Sequence, residues 1–522
     1  MSKHIYTLDG GKISELDRLG FKNFDFLSCD DDNEYDVSKN EMKNILENIH
    51  LSYFLAGCNI INTNTFQVNL HSLKKRNIGV EKGEEILNTY IDIAYKSLQK
   101  YKEIKRNENF LLNYSKNIND SIYEHLENFK NIRKKLNILH DNDTINTKIY
   151  LDELKLQNTH LKKKIDRNKN NYIAFSNGCY NSAFRDFSEY SGVLHKNKEK
   201  LKDKKLSTYV KTNNMIKLEK MKMRNNNNKN PKNLSKKNIK HHKYYDIKLK
   251  LLYSNTLFNS KLCNIEMIPR NKMDNESIYI FSPNSKLFNY GIEYYIDVSD
   301  EEIISNCKFK LGSFSKNANK LNFFSLTTAS NIREVLTFYN YIKYYGNTFN
   351  NSVIVNFFCN SSKYIGCSHY SFFDFASLLL YLDSYNKYIR AIGLNCINIE
   401  NAYDLFYPFK KYVCQYNNIN VDLYKSDNSQ MNSIAKCVMN DLKKNRYVND
   451  VDFFCSPNKS LENVIFDNNN NNINFQNSSK KSNHVYNFIE KWLGVNVNGF
   501  GGCCFYNPYD ISLIDYKLRQ LL

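Results

Sequence analysis

The chain has 522 residues, a formal net charge of +19 and thirteen cysteines. That length admits several domains or one large domain with insertions, and thirteen scattered cysteines without a C-x-x-C pair argue against a disulfide framework. Nineteen Lys/Arg against four acids lie between Ser191 and Lys250, so the rest of the protein carries only about +4, which excludes a generally basic nucleic-acid-binding body.

In chain order, short apolar, β-branched or aromatic runs occur at Ile5–Leu8, Cys58–Asn62, Tyr172–Ser176, Leu321–Leu326, Val353–Phe358, Ala391–Asn395, Val421–Tyr424 and Val495–Phe500. Helix-period stretches such as Glu41–Leu55 and Ile332–Tyr344 separate them. This alternation predicts a parallel α/β architecture, either a closed barrel or a doubly wound open sheet. Asp9, Asn64, Thr327, Cys396 and the Cys503-Cys504 pair fall at or just past the C-terminal ends of different runs, which favours the barrel. Three charged, Asn/Lys-rich segments, 101–170, 192–290 and 427–484, read as insertions that are largely disordered or peripheral, because such tracts bury too little apolar surface to offset chain entropy. The basic part, 192–250, is expected to be a solvated loop and is the one candidate for a nucleic-acid or anionic-membrane contact. The opening run passes straight into Asp9-Gly10-Gly11 with no secretory h-region. Asp374 and Ser377 break the aromatic run Phe372 to Leu382, so no membrane-spanning segment is expected. The expectation is a cytoplasmic, reducing compartment with free or ligating thiols.

The chemistry concentrates in two glycine-led segments, Gly393-Leu394-Asn395-Cys396 and Gly499-Phe500-Gly501-Gly502-Cys503-Cys504. Three cysteines around one metal leave the fourth tetrahedral position of a zinc ion open, as in catalytic rather than structural sites. The soft ligand suited to that position is another thiol. Cys359 and Cys367 with His369 match no common zinc spacing and read as strand cysteines; His241-His242 reads as part of a solvated charged face, and Trp492 as core.

At these residues the chain resembles the homocysteine S-methyltransferase family, the zinc-dependent homocysteine-binding barrels. Leu8-Asp9-Gly10-Gly11 with Glu15-Leu16 and Leu19-Gly20 is similar to that family's opening strand and helix. Ala56–Gln67, containing Thr63-Asn64-Thr65-Phe66, is similar to its second strand and turn, and Ser188-Glu189-Tyr190-Ser191-Gly192 to its S-E-Y-x-G loop. The G-x-N-C and G-G-C-C segments, the latter followed by Pro508, resemble its two zinc motifs. The resemblance implies that residues 1–522 form a single (β/α)₈ TIM barrel with long Asn/Lys-rich insertions. It implies that Cys396, Cys503 and Cys504 bind Zn²⁺ and that Asp9, Asn64, Thr65 and Thr327 line the substrate site. The implied reaction moves a methyl group from S-methylmethionine, S-adenosylmethionine or betaine to the thiolate of homocysteine. Two segments depart from the family pattern. Thr327 stands where the family has a glutamate for the substrate's amino group, with Glu293 as an alternative alignment, and Tyr424–Asn428 stands where it has Y-P-N-S-G. The alternative implied by Thr327 is a zinc-binding barrel that acts as a binding or scaffold protein.

Overall fold

A computed structural model of the chain describes residues 4–21, 39–106, 121–138, 170–180, 300–345, 352–359, 372–383, 386–414, 451–459 and 484–521, with 182, 194–195, 265–267, 279–281, 295–296, 298, 349 and 365–366. Eight strands form one sheet: β1 (Tyr6–Thr7), β2 (Ile60–Asn62), β3 (Tyr172–Gly178), β4 (Phe323–Ala329), β5 (Val353–Phe357), β6 (Ile389–Asn398), β7 (Asp452–Asn458) and β8 (Gly499–Phe500). Their order is β1-β8-β7-β6-β5-β4-β3-β2, and every neighbouring pair is parallel. A parallel bridge from Leu8 to Ile60 brings the two ends together, and the Asn59 N–H donates to the Thr7 carbonyl at 2.7 Å across the seam. The sheet is therefore a nearly closed (β/α)₈ barrel, as expected for a TIM barrel.

The helices are α1 (Lys12–Arg18), α2 (Lys39–Leu55), α3 (Leu70–Lys75), α4 (Val80–Arg106), α5 (Ile122–Lys135), α6 (Asp300–Lys316), α7 (Ile332–Tyr345), α8 (Phe372–Asp383), α9 (Asn401–Cys414), α10 (Ile489–Leu493) and α11 (Pro508–Leu521). The helix α4 buries one stripe, Ile86, Leu87, Tyr90, Ile91, Ala94 and Leu98, and the first half of α2 buries Met42, Ile45, Leu46 and Ile49, whereas α11 is buried almost all round. Asn507 caps α11 by accepting from the Tyr509 and Asp510 N–H groups, with Pro508 at the first helical position where no N–H is needed.

One layer of side chains plugs the N-terminal half of the barrel: Tyr6, Leu8, Ile60, Ala174, Phe323, Ile354, Ala391 and Phe454. β8 contributes no side chain to this layer, because a Cβ on Gly499 would lie 2.2 Å from the Phe454 ring. Two residues further along each strand the inward positions become small or polar, with Ser176, Ser325, Asn356, Gly393 and Ser456. The apolar floor and polar upper layer set the chemistry at the C-terminal mouth.

Two elements differ from the sequence expectation. The seventh strand is Asp452–Asn458, inside the segment assigned to the 427–484 insertion, and Val421–Tyr424 lies outside the described residues. Its Phe453-Phe454-Cys455 core is three residues long, flanked by Asp452 and Pro457, and embedded in Asn/Lys-rich sequence. Local composition there mimics an insertion. Within 101–170, α5 begins in a Ser121–Glu124 capping box and packs on α11. Phe129 meets Tyr509 edge-on with ring centres 5.1 Å apart, and the His125 ring contacts the Ser512 carbonyl at 3.0 Å.

The chain divides into two compact units. The first comprises Met1–Gly192, Ile303–Asn420 and Met439–Leu522, and holds the barrel; the second comprises Val193–Glu302 and Val421–Val438. In the second, Leu194–His195 pairs in parallel with Tyr295–Ile296, and Ile265–Met267 antiparallel with Tyr279–Phe281. Among the described residues no helix is long and apolar enough to cross a membrane.

Candidate functional site

The three cysteines converge at the C-terminal mouth of the barrel. Their sulfur atoms all lie within 4.8 Å of one another. Cys396 and Cys503 are in sulfur–sulfur contact with Cα atoms 5.4 Å apart, while Cys504 is half-buried and outside that contact. Tetrahedral zinc–thiolate bonds of about 2.3 Å put neighbouring sulfurs ~3.8 Å apart, so the three side chains, once reduced, reach a common ion with small rotations. The residues present fit a thiolate-bound metal.

Cys396 reaches the mouth because β6 bulges at its end. Pairing with β7 shifts register between Asn395 and Asn398, and Cys396 has φ +55°. β4 does the same: its register with β5 shifts between Leu326 and Ala329, and Thr328 has φ +58°. A β-branched residue with positive φ is a real outlier, and bulges at barrel rims re-aim side chains. The Asn395 amide ties the two bulges together. Its oxygen accepts the Thr328 N–H at 2.9 Å, and its nitrogen donates to the Thr328 hydroxyl at 2.8 Å. The same nitrogen lies 3.4 Å from the Cys396 sulfur and 4.0 Å from the Cys503 sulfur. This is the physical reason for Asn in G-x-N-C.

The Gly-Gly of G-G-C-C is equally specific. A Cβ on Gly501 would lie 2.6 Å from the Leu8 Cβ, and one on Gly502 2.0 Å from the Tyr506 ring. Every backbone N–H from Gly501 to Tyr506 is bonded: in turn to the Cys455, Asp9 and Pro457 carbonyls, the Asn458 side chain, the Ser14 hydroxyl and the Cys503 carbonyl. Asn458 links the two cysteine segments. Its Oδ1 accepts the Cys504 N–H at 3.0 Å and its Nδ2 donates to the Cys396 carbonyl at 3.0 Å.

Beneath this loop the buried Asp510 carboxylate accepts from the Lys459 ammonium at 2.8 Å and the His484 Nε2 at 3.2 Å. His484 Nδ1 accepts the Tyr486 N–H, which leaves the proton on Nε2. Burial alone would raise Asp510, but Lys459 and His484 outweigh it and hold the carboxyl at about 2.

The expected substrate residues are placed as follows. Asp9 is 4% exposed; it accepts the Asn62 N–H at 2.7 Å and the Asn62 side-chain N–H at 2.8 Å, and it is ion-paired with Lys12. Asn64 is buried, and neither atom of its amide has a partner among the described residues. The Thr65 hydroxyl donates to the Ser176 carbonyl at 2.8 Å, and the Thr65 carbonyl accepts from the buried Lys310 ammonium at 3.0 Å. Thr327 is half-buried, in register with Gly178, with its hydroxyl 3.2 Å from that of Ser325. Glu334 accepts the Tyr180 N–H at 2.7 Å. Burial pushes Glu334 up to about 8 and Lys310 down to about 7, so both tend toward neutrality while fixing the loops after β2 and β3.

Cys359 is a buried thiol bridged to Ile365 and Gly366, whereas Cys367, His369, Glu293 and the S-E-Y-x-G loop lie outside the described residues, as does 192–250 apart from 194–195. Sequence reasoning misses Lys12, Asn395 and Asn458 as site residues. Lys12 directly follows Asp9-Gly10-Gly11 and Asn395 precedes Cys396, so both carry a signal; Asn458 has none in its Asn-rich surroundings.

Three cysteines clustered past the ends of β6 and β8, which flank β7 at the mouth of a parallel (β/α)₈ barrel, define a class: barrels with a thiol cluster able to hold a metal ion. The chain matches the homocysteine S-methyltransferase family over residues 6–204 and 315–518, more than half its length, and belongs to that family. Solved structures of the Escherichia coli homocysteine methyltransferase MmuM align along the chain. The metallated form is 11% identical with a TM-score of 0.45, covering 98% of this chain and 96% of that one. The oxidized form is 12% identical with a TM-score of 0.47, again covering 98% and 96%. No curated protein matches the chain in sequence.

Proposed function

We propose that this protein is a zinc-dependent methyltransferase that converts homocysteine to methionine, using S-methylmethionine or S-adenosylmethionine as donor. The observation that carries the reading is the convergence of Cys396, Cys503 and Cys504 within 4.8 Å at the barrel mouth of a chain from this family. Zinc held by these thiolates supplies Lewis acidity that lowers the pKa of an acceptor thiol, giving a nucleophile at neutral pH. The protein's own residues do the rest. Asn395 and Asn458 fix the two cysteine segments, and the apolar floor under Ser325, Asn356 and Thr327 keeps the reacting groups at the mouth. The acceptor sulfur forms its bond to the donor methyl as the donor's S–CH₃ bond breaks; the electron pair stays on the donor sulfur, and the thiol proton leaves to solvent. Positioning supplies most of the rate. Ligating thiols must be reduced, which suits a cytoplasmic setting.

A second reading, a zinc-binding scaffold without turnover, is favoured by one observation. Thr327 is neutral and Asp9 already holds Lys12, so the described mouth offers no unpaired carboxylate to a substrate ammonium. The test is methionine formation by zinc-loaded protein with homocysteine and each donor, beside Cys504→Ser. Turnover abolished in the variant supports the enzyme; one bound zinc per chain without turnover from S-methylmethionine, S-adenosylmethionine or betaine supports the scaffold.

A further inference from the structure

The segment that carries the Lys12–Asp9 pair packs its backbone against the cysteine loop, with the Gly502 N–H donating to the Asp9 carbonyl at 3.2 Å. Gly11, the residue before Lys12, donates its N–H to the Tyr506 carbonyl at 2.9 Å, and a Cβ on Gly11 would lie 2.6 Å from the Cys503 carbonyl oxygen. Lys12 is nine-tenths buried, with its ammonium on Asp9 and 5.8 Å from the Tyr53 ring centre. Both Asp9 oxygens are engaged, one by the Asn62 side chain and the other by the Asn62 N–H and Lys12. An incoming ammonium at Asp9 would therefore sit beside a second buried cation, and like charges at that range in a poorly solvated site repel strongly. Thr327 opposite brings a hydroxyl and no counter-charge. Lys12 itself has three N–H donors and spends one on Asp9. Two residues beyond Asn62, the buried Asn64 amide adds donors with no partner among the described residues.

We infer that the acceptor thiol is recognised through its carboxylate, by the Lys12 ammonium, and that its ammonium contributes little. The inference rests on the thiol-methyltransferase reading and narrows its substrate class to carboxylate-bearing alkanethiols. Homocysteine qualifies, and so does its analogue without the amino group.

Titration calorimetry on the zinc-loaded full chain separates the contributions, with homocysteine, 4-mercaptobutanoate (no ammonium) and 3-aminopropane-1-thiol (no carboxylate) as probes. The expected result is 4-mercaptobutanoate within about threefold of homocysteine and the aminothiol about tenfold or more weaker, the difference made by one charge-assisted contact. Lys12→Met should weaken both acids by about tenfold, while Lys12→Arg should keep the preference for acids and show that the fold is intact. The inference is overturned, with the methyltransferase reading left standing, if 4-mercaptobutanoate binds about tenfold or more weakly than homocysteine while the aminothiol matches it. It is overturned equally if Lys12→Met leaves the preference unchanged. If no thiol binds zinc-loaded protein, both readings fall.

Discussion

Asn458→Ala is the most informative single change, because one amide spans both cysteine segments. The side chain makes two 3.0 Å bonds, to the Cys396 carbonyl and from the Cys504 N–H, and is itself 3% exposed. Each such bond contributes about 1 kcal/mol net, and leaving its partner unsatisfied in a buried place costs about 1–3 kcal/mol. With two such partners, truncation should thus cost about 2–6 kcal/mol in total. Part of that cost appears as lower stability of metal-free protein. The remainder appears where Cys396 and Cys504 must be held in register, and changes that release metal ligands from their supporting bonds typically weaken metal binding by about 10- to 100-fold. Competition against a chromophoric zinc chelator reads the affinity, and thermal melting of the metal-free protein reads the stability. Asn458→Asp keeps the acceptor for the Cys504 N–H but loses the donor to the Cys396 carbonyl, and should fall between alanine and the native residue. Zinc affinity within about twofold of the native protein for Asn458→Ala would falsify the coupling argument, whatever happened to the melting temperature.

Further outcomes follow from the surrounding network. Asp510 has a folded value of about 2 against 3.8 for the free group, so its stabilisation is complete above pH 4 and is lost as pH falls toward 2. Asp510→Asn should cost about 2 kcal/mol at neutral pH and flatten the acid limb of a denaturation series; an unchanged acid limb would count against the Lys459–Asp510–His484 network. Gly502→Ala must displace the buried Tyr506 ring, so it should destabilise by about 3 kcal/mol and lower zinc content, read by melting and metal analysis; native-like values for both would show the loop is more yielding than its contacts indicate. Thr327→Glu places a carboxylate at the mouth and should strengthen 3-aminopropane-1-thiol binding by about tenfold; a weaker or unchanged affinity would mean Thr327 does not face the acceptor.

Much of this protein is legible in its amino-acid sequence because its chemistry is written in local motifs. G-x-N-C and G-G-C-C carry their spatial demands in adjacent residues: an amide beside a thiol, and two glycines where no Cβ fits. Most barrel strands can be read for the same reason, each being a short apolar run with a turn after it. The seventh strand escapes because a three-residue apolar core between Asp452 and Pro457 is locally indistinguishable from the tracts around it; the pairing with β6 and β8 makes it a strand. Asn458 is hidden with it. Thr65 reads as a pocket residue, yet its hydroxyl and carbonyl are both engaged within the protein by Ser176 and Lys310, residues 111 and 245 positions away. Such long-range bonds leave no trace in sequence spacing. The pairing of Lys12 with Asp9 spans only three residues, but its meaning depends on the Cys503 backbone packed against Gly11.

The most direct measurement is zinc K-edge X-ray absorption on the zinc-loaded protein, before and after addition of homocysteine. Three thiolates with an open position predict three sulfur neighbours and one light atom, becoming four sulfurs at about 2.3 Å when homocysteine binds. A coordination shell with fewer than three sulfurs, or one that homocysteine leaves unchanged, would contradict the assignment of Cys396, Cys503 and Cys504 as a site that activates a thiol.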